Sequence, residues 1–535
     1  MGITGTRAGG RAAGGRAAGK HAFRRTAFRT RRSAGVCAYL LAVASASAWA
    51  ETWRVDPSVG VQETLTNNVN LSPSSTRQGD LVTQLTPGFT IQEKGSHSSL
   101  LGTVAVPLLF YIKTGAENNT AYVQADILGT TELVDRLLFV EGAVNVSQQF
   151  FTPFGAQPSS LSNATNNRYT TQSYRVSPYL KGEAGNNISY LLRDDNIWTN
   201  LSGAPLSTNN SYTNQVTGTL RRDPVPFGWQ VDYNRNDVRF TDQSAQLMEL
   251  ERIRVLYDPD PVLELGASGG YERNDFPLSS YSGATYGVSG RWRPNERTSL
   301  DGFYEHRFFG TSFGLTFDYR TPLSVWGVRA SRNITTYPQQ IAALPATGNV
   351  SALLNNLFLS RITDPAERQT AVDNLIRDRG LPQTLNGPVN LYSQQVTLQE
   401  QVSATFGLLG ARNTVFFNVF YLKSTPIAGS GQALPPILAG FNTNDNAQTG
   451  ASAVWTHKLT ELLSFNGSLN WTRTVANPPF DQTTNQGSVQ TALTAPISAH
   501  TTVFGGARYQ LQTSNIPTLE YREVAGFVGL NYAFH

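Results

Sequence analysis

Histidine titrates nearest neutral pH, so the search for acid–base or nucleophilic chemistry starts there. Beyond the first fifty residues the chain offers His97, His306, His457, His500 and His535. His97, His457 and His500 fall in or beside short polar turns, and His535 is the last residue. His306 is in register with Leu300, Tyr304 and Phe308, which puts it on an apolar face. None has a serine or aspartate partner at telling spacing, and no two stand at metal-ligand spacing. No glycine-rich phosphate loop follows a strand and opens a helix. No catalytic, cofactor-binding or metal-binding residue is therefore expected. Asp258-Pro259-Asp260-Pro261 has calcium-like chemistry, but two prolines among two acids read first as a stiffened polar turn.

The one constellation with functional content is a set of alternating charges: Glu264, Glu272, Arg291, Arg293, Asp301, Glu305, Arg307, Asp318, Arg320 and Arg329. Each is flanked by residues suited to the opposite face of a strand. Two readings stay open. Opposite charges on neighbouring strands pair and fill an interior, or they line a polar path that selects hydrated solutes, anionic ones where the arginines gather.

Period-2 strands must position these charges. In 283–293, Ala284, Tyr286, Val288, Gly290 and Trp292 oppose Thr285, Ser289, Arg291 and Arg293. In 312–320, Phe313, Leu315, Phe317 and Tyr319 oppose Ser312, Thr316, Asp318 and Arg320, and 463–474 repeats the pattern. Beyond residue 50 no run approaches eighteen continuous apolar residues, so a membrane-spanning reading requires a closed barrel. Aromatic residues near strand ends, such as Trp292, Tyr319, Trp326 and Trp471, suit interface girdles. Short turns, such as 222–226 and 320–323, alternate with long polar loops, such as 148–170, 336–388 and 425–446. The expected fold is an all-β, antiparallel up-and-down transmembrane barrel over residues 51–535. It has about 22 strands, or 16 to 20 if weak early runs such as 53–62 lie outside the wall. The alternative is a soluble β-sandwich or solenoid with one buried face.

The 336–388 loop carries helical signals at the extracellular end of the expected barrel. Asp364-Pro365-Ala366-Glu367 is a capping-box start, Ala371, Val372, Leu375 and Ile376 form a stripe, and Gly380 suits a stop. Leu353, Leu354, Leu357, Phe358 and Ile362 form a second amphipathic stretch. The segment is either a lid or constriction folded over or into the lumen, or an external hairpin covering its own apolar face.

Residues 1–50 read as a cleaved targeting segment. They hold nine Lys or Arg and no acid before a short apolar run, and Ala48-Trp49-Ala50 suits cleavage between Ala50 and Glu51. Removing nine cations takes the chain's +4 to about −5, so nucleic acid is not an expected partner. Cys37, the single cysteine, leaves with the leader, which excludes structural disulfides from the remainder. At the other end, Leu530, Tyr532 and Phe534 share an aromatic strand face resembling the signal that the outer-membrane barrel assembly machinery recognises, with His535 displacing the terminal aromatic by one. The expected setting is the outer membrane of a Gram-negative bacterium, with its lipid as solvent.

Residues 269–336 carry more than a pattern. Gly270-Tyr271-Glu272-Arg273-Asn274-Asp275-Phe276 is followed by Trp292-Arg293-Pro294, Arg297-Thr298, Glu305-His306-Arg307-Phe308-Phe309-Gly310, Arg320-Thr321 and Trp326. This resembles the PEP-CTERM or exosortase system-associated outer-membrane barrel family. The resemblance implies a role as pore or scaffold beside exopolysaccharide export or assembly, with polysaccharide export components as partners and no catalytic residues to carry over. Set against it are a surface adhesion or structural barrel, a barrel enzyme disfavoured by the histidines, and a TonB-type receptor. The receptor reading suits 22 strands but expects a globular plug before the barrel, whereas strand-like runs begin directly after Glu51.

Overall fold

In the computed structural model the described residues are 52–535, apart from 186, 204–209, 242, 244, 344–349, 360, 364–366, 370, 373–374, 377–384, 386, 391, 432–444, 479–480 and 535. The leader and its Ala50/Glu51 junction, the Asp364-Pro365-Ala366 cap, Gly380 and His535 lie outside them.

Period-2 residues build one sheet of 24 strand segments, each antiparallel to its neighbours. The segments run β1 (Thr52–Thr66), β2 (Asp80–Lys94), β3 (Ser98–Ala105), β4 (Leu108–Tyr111), β5 (Thr120–Ala121), β6 (Gln124–Val134), β7 (Leu138–Phe150), β8 (Arg168–Ala184), β9 (Ile188–Ser202), β10 (Ser211–Arg222), β11 (Phe227–Phe240) and β12 (Gln246–Asp260). They continue through β13 (Leu263–Asp275), β14 (Ser280–Asn295), β15 (Thr298–Arg307), β16 (Gly310–Arg320), β17 (Ser324–Thr335), β18 (Thr397–Leu409), β19 (Asn413–Pro426), β20 (Asn446–Lys458), β21 (Ser464–Ala476), β22 (Thr483–Pro496), β23 (Thr501–Ser514) and β24 (Tyr521–Ala533).

β3 and β4 both pair with β2, and they pair with β6 and β5 in turn, so these four segments make two wall strands. Val106-Pro107 interrupts the first of them, because proline has no N–H to give the ladder. The wall is therefore a closed barrel of 22 strands. It closes where β1 meets β24, from Ser58↔Ala533 to Thr66↔Ala525. The early run 53–62, a candidate for exclusion from the wall, is the closing strand itself.

Side chains alternate as the pattern requires. On β13 and β14, Tyr271, Tyr286, Val288 and Trp292 are exposed on the outer face, while Glu272, Asn274 and Thr285 are buried on the inner face. At one end the strands are joined by tight turns, such as 223–226, 261–262, 296–297 and 321–323; at the other they are joined by generally longer loops, including 67–79, 151–167 and 336–396. The extremes of the described chain, Thr52 and Phe534, lie at the tight-turn end.

Among the described residues the helices that are not part of the wall include α1 (Gly115–Asn118), α2 (Tyr337–Ala343) and α3 (Val350–Phe358). The last two belong to the β17–β18 connection.

Candidate functional site

The ten sequence-nominated charges fall on the inner face, and the structure brings nine of them into ion pairs, Arg320 bonding instead to a backbone carbonyl. Glu264 on β13 receives both Arg221 of β10 and Arg291 of β14, the latter at 3.3 Å. Arg291 also meets Asp301 at 2.9 Å, with Arg293 3.7 Å from the same carboxylate. Arg329 pairs with Asp318 at 3.0 Å, and Arg320 donates to the Glu296 carbonyl at 2.7 Å. Higher in the barrel, Glu305 meets Arg252 at 3.2 Å. Glu272 is fully buried and takes two donors from Arg307, whose third goes to Asn333 Oδ1 at 2.8 Å. Of the two readings of these charges, mutual pairing is the arrangement seen.

Several members of this ladder were missed in the sequence. Arg254 and Arg252 both approach Asp232, at 2.9 and 3.7 Å. Glu141 is shared by Arg175 and Arg193, and Arg193 also holds Asp195. The same alternation, followed back through β7–β12, is the signal that would have found them.

The histidines stay apart. His306 is on the outer face, stacked on Tyr286 at 5.1 Å. His457 contacts Asn413 at the tight-turn end at 2.8 Å, and His500 lies in the last tight turn. His97 meets Glu132 at 3.4 Å across the β2–β3 and β6–β7 turns, with Asp135 beside them. These three are the one group of potential metal ligands among the described residues, but His97 and Asp135 are exposed and the trio is ordinary turn chemistry. At Asp258-Pro259-Asp260-Pro261, Asp260 Oδ1 accepts the Val262 N–H at 2.8 Å, closing the turn as the proline-stiffened reading expects. Leu530 and Tyr532 face outward on β24, and the Phe534 ring meets Tyr532 edge-on at 4.9 Å.

The larger finding is what occupies the interior. The β17–β18 connection leaves the wall at the long-loop end and turns inward. Tyr337 and Ile341 of α2 are buried with Tyr169 of β8, Leu201 of β9, Phe151 and Tyr392. β8 lies nine strands round the wall from β17, so α2 bridges the lumen. The Tyr337 hydroxyl bonds to Tyr169, and to Thr171 at 3.3 Å. Burial pushes the Tyr337 phenol up to about 12.

α3 lies toward the opposite end. Val350, Leu354 and Leu357 of α3 are buried with Val372 and Leu385 of the same connection and with Val325, Leu409, Phe416 and Val454. These last four lie on the inner faces of β17, β18, β19 and β20, close to the tight turns. Arg361 donates to the Pro322 carbonyl within the 321–323 turn, which fixes the depth reached. Each fully buried leucine contributes roughly 1.5–3 kcal/mol to this docking. The returning chain is caught again at the long-loop end, where Gln246 of β12 donates to the Gln394 and Ser430 carbonyls. Of the two placements for the amphipathic stretch, the one folded into the lumen is found, because the inner wall supplies an apolar patch that an external hairpin would lack.

A second loop, 151–167, enters the same mouth. Asn163 donates to Glu523 of β24 at 2.8 Å, while Arg508 of β23 clamps that carboxylate through two donors, at 2.9 and 3.1 Å. Thr66 of β1 adds a bond at 2.7 Å and Gln510 another at 2.8 Å. Glu523 therefore ties the closing seam of the barrel to an inward loop.

No family model matches the chain, and no curated protein matches it. Among solved structures, the chain is similar in fold to the FrpB iron transporter from Neisseria meningitidis in its apoprotein form. Identity is 9%, with 90% of this chain and 81% of that one covered, at a TM-score of 0.47. It is similar also to a mutant of the ferric enterobactin receptor PfeA from Pseudomonas aeruginosa (10% identity, 90% and 80% covered, TM-score 0.45). A third is OccK2 from Pseudomonas aeruginosa, at 8% identity, 90% and 98% covered and TM-score 0.34. At these identities and TM-scores the likeness adds nothing to the closed, 22-strand antiparallel barrel already described.

Proposed function

We propose that the protein is an outer-membrane channel held closed by its own β17–β18 connection. The observation that carries this reading is the path of that connection, which bridges the lumen with α2 and docks α3 on the inner wall at the far end. A barrel serving only as a wall or a surface scaffold gains nothing from sending this chain through its interior, whereas a gate requires it. Outside the apolar patch beneath α3 the inner faces are largely polar, with most of their charges paired, so displacement of the connection would leave a wetted passage. The resemblance of residues 269–336 supports placing this channel in exopolysaccharide export or assembly, beside a PEP-CTERM sorting system. No step of the proposal uses a catalytic residue.

Planar-bilayer recording tests the gate. Wild-type protein is expected to conduct weakly, and deletion of 349–380 to raise the conductance of a barrel that still shows heat-dependent gel mobility. Near-zero conductance in both would overturn the channel. Loss of surface polysaccharide on gene deletion, restored by the wild-type chain, tests the setting.

A further inference from the structure

The inner wall is not uniform. From β9 to β17 it carries the paired arginines and carboxylates described above. From β18 to β22 the inward positions hold Gln, Asn, Ser and Thr among a few apolar residues, and the one ionisable group among the described residues is Lys458 at the β20–β21 tight turn. α3 covers part of this neutral sector, on β18–β20. On β21 and β22 the inward Asn466, Asn470, Ser488 and Gln490 are only partly buried.

Two aromatic rings border these amides. Phe504 of β23 and Phe527 of β24 face inward, half-buried, with centroids 6.4 Å apart. A glycine on a neighbouring strand leaves room for the outer edge of each ring, and the two ring planes are inclined at 50° to each other. A Cβ at Gly529 would come within 2.5 Å of the Phe504 ring, and one at Gly506 within 2.8 Å of the Phe527 ring. A side chain at either glycine would crowd the ring beside it, so the glycines keep both half-buried rings accessible on the inner wall.

Amides and hydroxyls donate and accept hydrogen bonds without net charge, which suits hydroxyl groups. An aromatic face suits the C–H face of a pyranose ring, through dispersion and the ring quadrupole. Within β21–β24 the inward arginine among the described residues, Arg508, is committed to Glu523, and the one bordering cation, Lys458 on β20, lies at the tight-turn end, away from the two rings. We infer that the β21–β24 inner wall, with Phe504 and Phe527 as stacking platforms, is a binding track for an uncharged, polyhydroxylated chain. This inference rests on the channel reading and names its solute class.

The test uses the full-length barrel lacking only 349–380, in planar bilayers, with maltohexaose as neutral probe and hexagalacturonate as anionic probe of equal length. Maltohexaose is expected to block the ion current at about a tenfold lower concentration than hexagalacturonate. Phe504→Leu with Phe527→Leu is expected to raise the half-blocking concentration of maltohexaose by about tenfold, with the open conductance and gel mobility unchanged. A conducting barrel blocked equally well by the anionic probe, or indifferent to the two substitutions, would overturn the track alone. A barrel that does not conduct would overturn the channel and the track together.

Discussion

The side-chain amide of Gln448, on β20, is bonded at both ends to the backbone of Val389: its Nε2 donates to the Val389 carbonyl and its Oε1 accepts the Val389 N–H, both at 2.9 Å. A wall residue thus offers the returning connection the two bonds that a neighbouring strand would give.

Gln448→Ala removes both partners at once and leaves the Val389 peptide groups to find water inside the mouth. The cost is about 1–3 kcal/mol for each group left unsatisfied. Faster proteolytic cutting near residue 389 is expected, with heat-dependent gel mobility unchanged. A cutting rate equal to wild type would show that this clamp does not hold the connection.

Leu354→Asp places a carboxylate among Leu357, Val325 and Phe416, where docking of α3 depends on apolar burial. Even Leu354→Ala is expected to weaken the dock by roughly 2–5 kcal/mol. Both variants should raise bilayer conductance, the aspartate more, while the barrel stays folded because its ladder bonds are untouched. Unchanged conductance in the aspartate variant would sink the assignment of α3 as the closing element.

Glu523→Ala strands Arg508, which is 3% exposed, in the mouth without its carboxylate. Breaking such a buried pair typically costs about 3–5 kcal/mol. Glu523 also receives Thr66 from β1, so the loss falls on the closing seam. The temperature at which the folded gel band disappears should drop, and Glu523→Gln should recover part of it by keeping an acceptor for Asn163 and Thr66.

Tyr337 sets an alkaline limit. Its phenol is pushed up to about 12, against an ordinary value of 10.0 when the chain is unfolded. Below the ordinary value both states are protonated and the stabilisation is complete. As pH rises from there toward 12 the unfolded chain has already lost the proton, so the stabilisation is progressively lost. Tyrosinate absorbance at 295 nm should show a smaller late-titrating amplitude in Tyr337→Phe than in the wild type, and an equal late amplitude, with the loss falling near 10 instead, would refute the burial.

The barrel and the inward orientation of its charges were legible because both are local. Alternation at Tyr286, Val288 and Trp292 against Arg291 needs only the strand period. Even the mutual pairing of Glu264, Arg291 and Asp301 was within reach, since adjacent strands of a meander must be neighbours. The docking of α3 was not. Leu354 and Leu357 announce an amphipathic helix, but their partners Val325, Leu409, Phe416 and Val454 are isolated apolar residues on four strands, none remarkable in its own segment. Glu523 carries no signal of its role for the same reason, since Asn163 lies 360 positions away. Contacts across a lumen leave no periodicity in the chain.

β17 ends and β18 begins on paired residues, Thr335 opposite Thr397, so the intervening connection is moored at both ends to one point of the rim. A helix displaced from the wall therefore cannot diffuse away. It stays near its dock at an effective concentration on the order of millimolar, set by tether length. In the proposed gate, reclosure would then be unimolecular and independent of protein concentration, the passage being resealed by a segment that never left its rim.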